Sequence, residues 1–364
     1  MTSPAPAPAR RVVHVASGRE WRGGQNQVAL LARELARTEP SLDQLVVTGI
    51  GTALADRLAD AGIPTRLVGW RIGLSPAALT GAFLECLGEP ALLHAHDGHA
   101  LTLCAIAGGL TGTPFIATRR VVFPLRRPGV WMRAERIIAV SEAVRTTLVA
   151  EGIPSERVHV VHSGIDLERV SAVEPGSIRH ELALPEGVPL AVSLGALDEH
   201  KDPGTILDAA ARLASRLPDL HWAIAGEGPL HAALDVRLLE PSLASRVTLT
   251  GRLQASDALR LIAAADVYVT STRAEGLGNA VLEAMAIGKP VVGVRVGGIP
   301  ELLDGGAGEL ISPGDAEGMA ASVERLLTDP VLRSGVVTGA RRRVAGFSAR
   351  AMAEGVRAVY RSVV

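Results

Sequence analysis

Short apolar runs rich in β-branched residues alternate with helical patterns from Arg11 to about Gly164, and the alternation starts afresh at Val188. In the first series the predicted strands are Val12 to Val15, Leu45 to Thr48, Thr65 to Val68, Ala91 to His94, Pro114 to Thr118, Arg136 to Val140 and Val158 to His162. In the second they are Leu190 to Leu194, His221 to Ala225, Val247 to Thr250, Val267 to Thr270, Pro290 to Val294 and Gly308 to Ile311. Strands alternating with helices predict parallel sheets covered on both faces. Two such series predict an α/β chain of two doubly wound, Rossmann-like domains. The link falls near Ile165 to Pro185, where Asp166, Glu168, Glu174, Pro175, Gly176 and Pro185 break the apolar pattern. The expected domains are residues 11–170 and 171–348, and Ala349 to Val363 is helical by pattern. Open parallel sheets bind ligands beyond the carboxyl ends of their strands, so a site is expected in a cleft between two facing domains.

Composition narrows this little. With 364 residues, 48% of them apolar, the chain can bury two cores of ordinary size. A formal net charge of -1 argues against a general nucleic-acid binder. Cys86 and Cys104 form no C-x-x-C pair, which suits a reducing cytosol. Residues 1–10 are a Pro/Ala tail, expected to be disordered, without the apolar stretch of a signal peptide, and no apolar run reaches membrane-spanning length. The expected location is therefore the cytoplasm. Lysine occurs only at 201 and 289 in a chain that otherwise uses arginine.

The most informative segment is Glu275-Gly276-Leu277-Gly278-Asn279-Ala280-Val281-Leu282-Glu283, followed by an apolar stretch ending at Gly288-Lys289-Pro290. It reads as strand, tight glycine turn and helix. Such a turn points bare N–H groups, reinforced by the helix dipole, at an anion. Glu275 falls in the loop and Glu283 about one turn into a helix apolar on nearly every side, where a carboxylate is costly unless something hydrogen-bonds to it. A ligand with phosphates over the turn and hydroxyls on the two carboxylates satisfies both, and a nucleotide sugar fits. The alternative is a local ion pair of Glu283 with Lys289 or Arg295. The loop Ser193-Leu194-Gly195-Ala196-Leu197-Asp198-Glu199-His200-Lys201-Asp202 ends a strand at Gly195 and offers Lys201 as a point charge for a leaving phosphate. Gly23-Gly24-Gln25 opens a helix after the first strand, where the Gly24 and Gln25 amides could meet a pyrophosphate.

Two further runs carry candidate chemistry. His94-Ala95-His96-Asp97-Gly98-His99 approaches the H-x-H-x-D-H of binuclear metal hydrolases, but its Asp is displaced by one residue and no second ligand set follows. No metal is expected. The run Arg119-Arg120-Val121-Val122-Phe123-Pro124-Leu125-Arg126-Arg127 is basic with interleaved apolar residues, a pattern that suits an anionic acceptor or lipid head group.

Together these motifs resemble the family 4 retaining glycosyltransferases of the GT-B fold. The resemblance rests on Gly23-Gly24, Ser141-Glu142, Ser163-Gly164-Ile165-Asp166, Gly226-Glu227-Gly228-Pro229, Thr250-Gly251-Arg252, the E-x7-E run and Gly297-Gly298-Ile299-Pro300-Glu301. It implies that the second domain binds a nucleoside-diphosphate sugar through Gly195, Lys201, Arg252, Glu275, Gly276, Leu277, Gly278, Asn279 and Glu283. Glu275 would contact the donor sugar and Glu283 the ribose. It further implies that the first domain serves the acceptor and is crossed by the C-terminal helix. His96 would face the donor sugar or the acceptor, completing a catalytic set with Lys201 and Glu275. Relatives carry an Arg where this chain has Ala196, and Arg252, Arg273 and Arg295 are the candidates to replace that charge. Relatives also carry a His where Arg120 stands, which with Arg119, Arg126 and Arg127 hints at an anionic acceptor. Members acting on lipopolysaccharide cores show a similar basic run, so a cell-envelope glycan or lipid-linked acceptor at an anionic membrane is expected. The nucleotide sugar is a substrate, and no cofactor is implied. A nucleotide-sugar epimerase of the same fold and a non-catalytic nucleotide-sugar binder are the rival readings.

Overall fold

All thirteen predicted strands are present in the computed structural model, which describes residues 11–70, 75–87 and 91–363. The expected tail, residues 1–10, lies outside these. The chain divides into two units, Met1–Gly164 with Ser348–Val364, and Ile165–Phe347.

The first unit holds β1 (Arg11–Val15), β2 (Asp43–Gly49), β3 (Thr65–Val68), β4 (Ala91–Ala95), β5 (Phe115–Arg119), β6 (Arg136–Ala139) and β7 (Val158–Val160). They form one parallel sheet in the order 3-2-1-4-5-6-7. One core cluster joins Val12, Leu92, Ile116 and Ile138 of the sheet to Leu31 and Leu35. Another joins Val46 to Val28, Ala32, Leu54 and Leu58. The final helix, Ala349–Arg361, belongs to this unit. Met352, Ala353, Val356 and Tyr360 complete the first cluster, and Ser348 caps the helix by accepting from the Ala351 N–H at 3.1 Å.

The second unit holds β8 (Leu190–Leu194), β9 (His221–Ala225), β10 (Val247–Gly251), β11 (Val267–Val269), β12 (Val291–Val294) and β13 (Glu309–Ile311), parallel in the order 10-9-8-11-12-13. Trp222, Leu207, Leu213, Val269, Val292 and Met319 lie in its core. β12 starts one residue later than expected, because Pro290 has no N–H for the ladder. The division at Gly164 and Ile165 precedes the expected boundary at 170/171. The short helix Leu167–Ser171 packs on the helix Asn279–Ile287 and so belongs with the second unit.

Each sheet order reverses once, at β1/β4 in the first unit and at β8/β11 in the second. Loops that leave the carboxyl ends of the two strands at such a reversal run to opposite faces of the sheet, the place where open parallel sheets bind ligands. In the second unit these are the loops that carry Lys201 and Glu275. In the first they are the loop into the helix Gly23–Thr38 and the turn bearing His96 and Asp97.

Candidate functional site

In the second unit the two loops of the β8/β11 reversal meet. Lys201 Nζ donates to Glu275 Oε2 at 2.5 Å, both side chains being partly buried. The loops are tied on either side of this pair. Ser271 Oγ donates to the Lys201 carbonyl at 2.8 Å, Thr272 Oγ1 to the His200 carbonyl at 3.0 Å, and the Arg273 N–H to the same carbonyl at 2.7 Å. The helix Asn279–Ile287 then begins at Gly278 with φ +109°, no side-chain cap and no acid in its first turn. Its first N–H groups therefore have no side-chain partner from the cap or first turn of the helix, which suits them to an anion. Glycine is required here twice. A Cβ on Gly278 would meet Ile299 Cδ1 at 2.6 Å, and one on Gly297, at φ +55°, would lie 1.7 Å from the Glu275 carbonyl oxygen. Gly276 and Leu277 are buried in the turn, and Asn279 is half-buried.

Glu283 sits on the second turn of that helix. Among the described residues its carboxylate makes no hydrogen bond or ion pair, so the expected alternative partners Lys289 and Arg295 are not engaged with it. Burial pushes the carboxyl up to about 7, against a weaker downward pull from Arg169. Of the arginines considered for the charge absent at Ala196, Arg273 is bound to Asp202 and Arg295 lies 3.9 Å from Asp304. Arg252, just past the carboxyl end of β10, is exposed and has no hydrogen-bond or ion-pair partner among the described residues. A Cβ on Gly195 would meet the Lys201 stem at 3.4 Å.

In the first unit several of the expected side chains have internal partners. His96 is buried, and both of its ring nitrogens are engaged. Nδ1 accepts from Arg120 Nη2 at 3.1 Å, and Nε2 lies 2.9 Å from His14 Nδ1. An arginine can only donate, so the neutral ring carries its proton on Nε2 and gives it to His14. In that tautomer the Nδ1 lone pair is engaged by Arg120; His14, His94 and His96 cluster closely enough to hold a metal. His94 is spoken for as well, by Tyr360 Oη and Thr118 Oγ1 at 2.7 Å each. Desolvation holds His14 down to about 4 and His94 and His96 well below the usual imidazole range, so all three are neutral. His96 is thus buried, with both ring nitrogens engaged inside the first unit.

Asp97 is likewise spent. It caps the helix Gly98–Thr111 through the His99 and Ala100 N–H groups, and it accepts from Ser17 N at 2.7 Å and Ser17 Oγ at 2.5 Å. It thereby ties down the loop that leads to Gly24 and Gln25, at the start of the helix Gly23–Thr38, which has no side-chain cap and no acid in its first turn.

Arg119 and Arg120 also turn inward. Arg119 donates to the Val121 carbonyl at 3.1 Å and to the Phe123 carbonyl, and it lies over the Trp131 ring. Arg120 donates to the His96 carbonyl at 2.7 Å, and burial lowers its guanidinium to about 10. Only Arg126 and Arg127 of the four stand exposed.

Sequence reasoning missed His14, Ser17, Asp202 and Ser271. A histidine inside an otherwise apolar strand was a signal for the first. The others meet Asp97, Arg273 and the Lys201 carbonyl, partners about 70 to 80 residues away that no spacing displays.

Residues 21–169 match the family Glycosyltransferase Family 4, and residues 188–329 match Glycosyl transferases group 1. The chain is 29% identical to a 2-deoxystreptamine glucosyltransferase of Streptomyces kanamyceticus over 84% of this chain and 90% of that protein. It is 33% identical to the lipopolysaccharide core biosynthesis glycosyltransferase LpsE of Rhizobium meliloti, over 49% of each. The fold matches Anabaena HepE, solved in complex with UDP-glucose, with a TM-score of 0.84 at 20% identity, covering 97% of this chain and 99% of that one. By sequence and by fold, the chain joins a Glycosyltransferase Family 4 domain to a group 1 glycosyl transferase domain in the GT-B fold.

Proposed function

We propose that the protein moves a sugar from UDP to a hydroxyl of a cell-envelope glycan or lipid-linked acceptor with retention at the anomeric carbon. The observation that carries this reading is the pairing of Lys201 with Glu275 across the switch-point loops of the second unit. An ammonium and a carboxylate meet there on the loop that leads to an uncapped helix N-terminus, with an unpartnered Glu283 on that helix, while Arg252 stands exposed past the end of β10. UDP-glucose, held by the Anabaena protein of like fold, offers phosphates to the first set of groups and hydroxyls to the carboxylates. Lys201, Arg252 and the N–H groups at Gly278 and Asn279 stabilise the charge that grows on the departing diphosphate. Glu275, released from Lys201, holds the donor sugar, and Glu283 holds the ribose. The leaving phosphate oxygen takes the acceptor proton as the acceptor attacks from the same face, so no side chain need act as a nucleophile. Gly24 and Gln25 offer amides to the pyrophosphate. Arg126 and Arg127, beside exposed Val121, Phe123 and Met132, serve an anionic acceptor.

The test is a binding screen of UDP-, GDP- and ADP-sugars followed by turnover with Lys201→Ala. UDP-sugars are expected to bind, and the variant to lose about 100-fold in UDP release. Undiminished UDP release in the variant would sink the assignment of Lys201.

A further inference from the structure

Asp202, next to Lys201, adopts φ +48° and ψ +53°, a left-handed conformation that only Ala183 and Ser245 share with positive φ among the described non-glycine residues. Such a residue is strained unless its surroundings over-determine it. Here one carboxylate oxygen accepts hydrogen bonds from Thr205 and Arg273 and meets a second Arg273 nitrogen as an ion pair. Thr205 Oγ1 lies at 2.8 Å, and Arg273 Nε and Nη2 each lie at 2.9 Å. The Asp202 side chain is 13% exposed and that of Arg273 60%, so a solvent-facing arginine is committed to an almost buried acid.

Two ion pairs of opposite polarity therefore cross between the same two loops, Lys201 to Glu275 and Asp202 to Arg273. The first is made of groups assigned to the donor and has to open when Lys201 turns to a phosphate. The second has no such duty. We infer that Arg273 is a positioning residue: by bracing Asp202 in the left-handed conformation it fixes the loop that carries Lys201, so that Lys201 and Glu275 part for the donor while the loops stay in register. The inference rests on the proposed role of Lys201 for its consequence in turnover, and on the geometry alone for its consequence in the free protein.

Glycine adopts positive φ without a brace, which supplies the discriminating variant. Hydrogen exchange is measured in the ligand-free protein over residues 198–205 for wild type, Arg273→Ala, Asp202→Gly and the double variant. Arg273→Ala is expected to speed exchange of the Lys201 and Asp202 amides about tenfold, the scale set by the left-handed penalty of a side-chain-bearing residue. The double variant is expected to exchange more slowly than Arg273→Ala and close to Asp202→Gly. UDP release from UDP-glucose is expected to fall about tenfold in Arg273→Ala, and not to fall further when Arg273→Ala is added to Lys201→Ala. Wild-type exchange in Arg273→Ala, or a double variant as fast as that single one, overturns the brace. A full tenfold loss in the Lys201→Ala background shows that Arg273 acts elsewhere. Wild-type turnover in Lys201→Ala overturns the proposed catalytic assignment instead, and leaves the exchange result to stand or fall by itself.

Discussion

Glu283 shows how much one carboxylate can carry. It is held at about 7 by burial, against an ordinary value of 4.5, with no donor to offset the cost. Between those values the folded state binds a proton that the unfolded state has lost, so stability declines as pH rises from about 4.5 to 7 and is level above that. The penalty above pH 7 is on the order of 3 kcal/mol. A site that bears such a cost without a ligand is poised to recover it with one. UDP-glucose affinity is therefore expected to improve as pH rises through about 7, when the carboxylate becomes a full acceptor for ribose hydroxyls. Glu283→Gln is expected to weaken binding by about 1 to 3 kcal/mol, to abolish that pH dependence, and to raise thermal stability at pH 8. Calorimetric titration at pH 6 and 8 checks the first two. An unchanged affinity and slope would remove Glu283 from the site.

At the scale of the element, the loop between β5 and β6 was legible as basic and apolar, but not as a division of labour. Arg119 closes its own turn onto the Val121 and Phe123 carbonyls, and Arg120 reaches back to His96. Leu125 and Trp131 anchor the loop in the unit. Those uses depend on which carbonyls the folded turn presents, and sequence spacing is silent about that. Arg126 and Arg127 remain outside beside Phe123, 40% exposed, and Met132, 45% exposed. Arg126→Gln with Arg127→Gln is expected to raise the Michaelis constant for a charged acceptor several-fold and to flatten its salt dependence, because exposed charges act through screened fields. UDP affinity is expected to stay put. Arg119→Gln, by contrast, removes a structural group and is expected to lower the melting temperature. If the double variant keeps wild-type acceptor kinetics at low salt, the loop is only a solvated connection.

At the scale of the molecule, strand order and the loops that bear Lys201 and Glu275 follow from alternation and glycine placement, which are local properties of the chain. The neutral histidine cluster was illegible, since His14 comes from β1, His94 from β4 and His96 from the turn after it, and they acquire their state only by being buried together. The two units consequently respond to acid in opposite senses. In the first, imidazoles held below their ordinary 6.5 stay neutral while the unfolded chain takes up protons, so stability falls as pH drops below about 6.5. In the second, protonating Glu283 relieves its desolvation over the same range, opposed in part by His221, whose imidazole is also lowered by burial. Since each unit has its own core, scanning calorimetry is expected to resolve two transitions. Between pH 7 and 5 the first unit's transition is expected to move down and the second's up or little. Glu283→Gln isolates the cause, because it should remove the upward component from the second transition and leave the first untouched. Two transitions moving down in parallel, in wild type and variant alike, would mean that neither buried group sets the acid response of its unit.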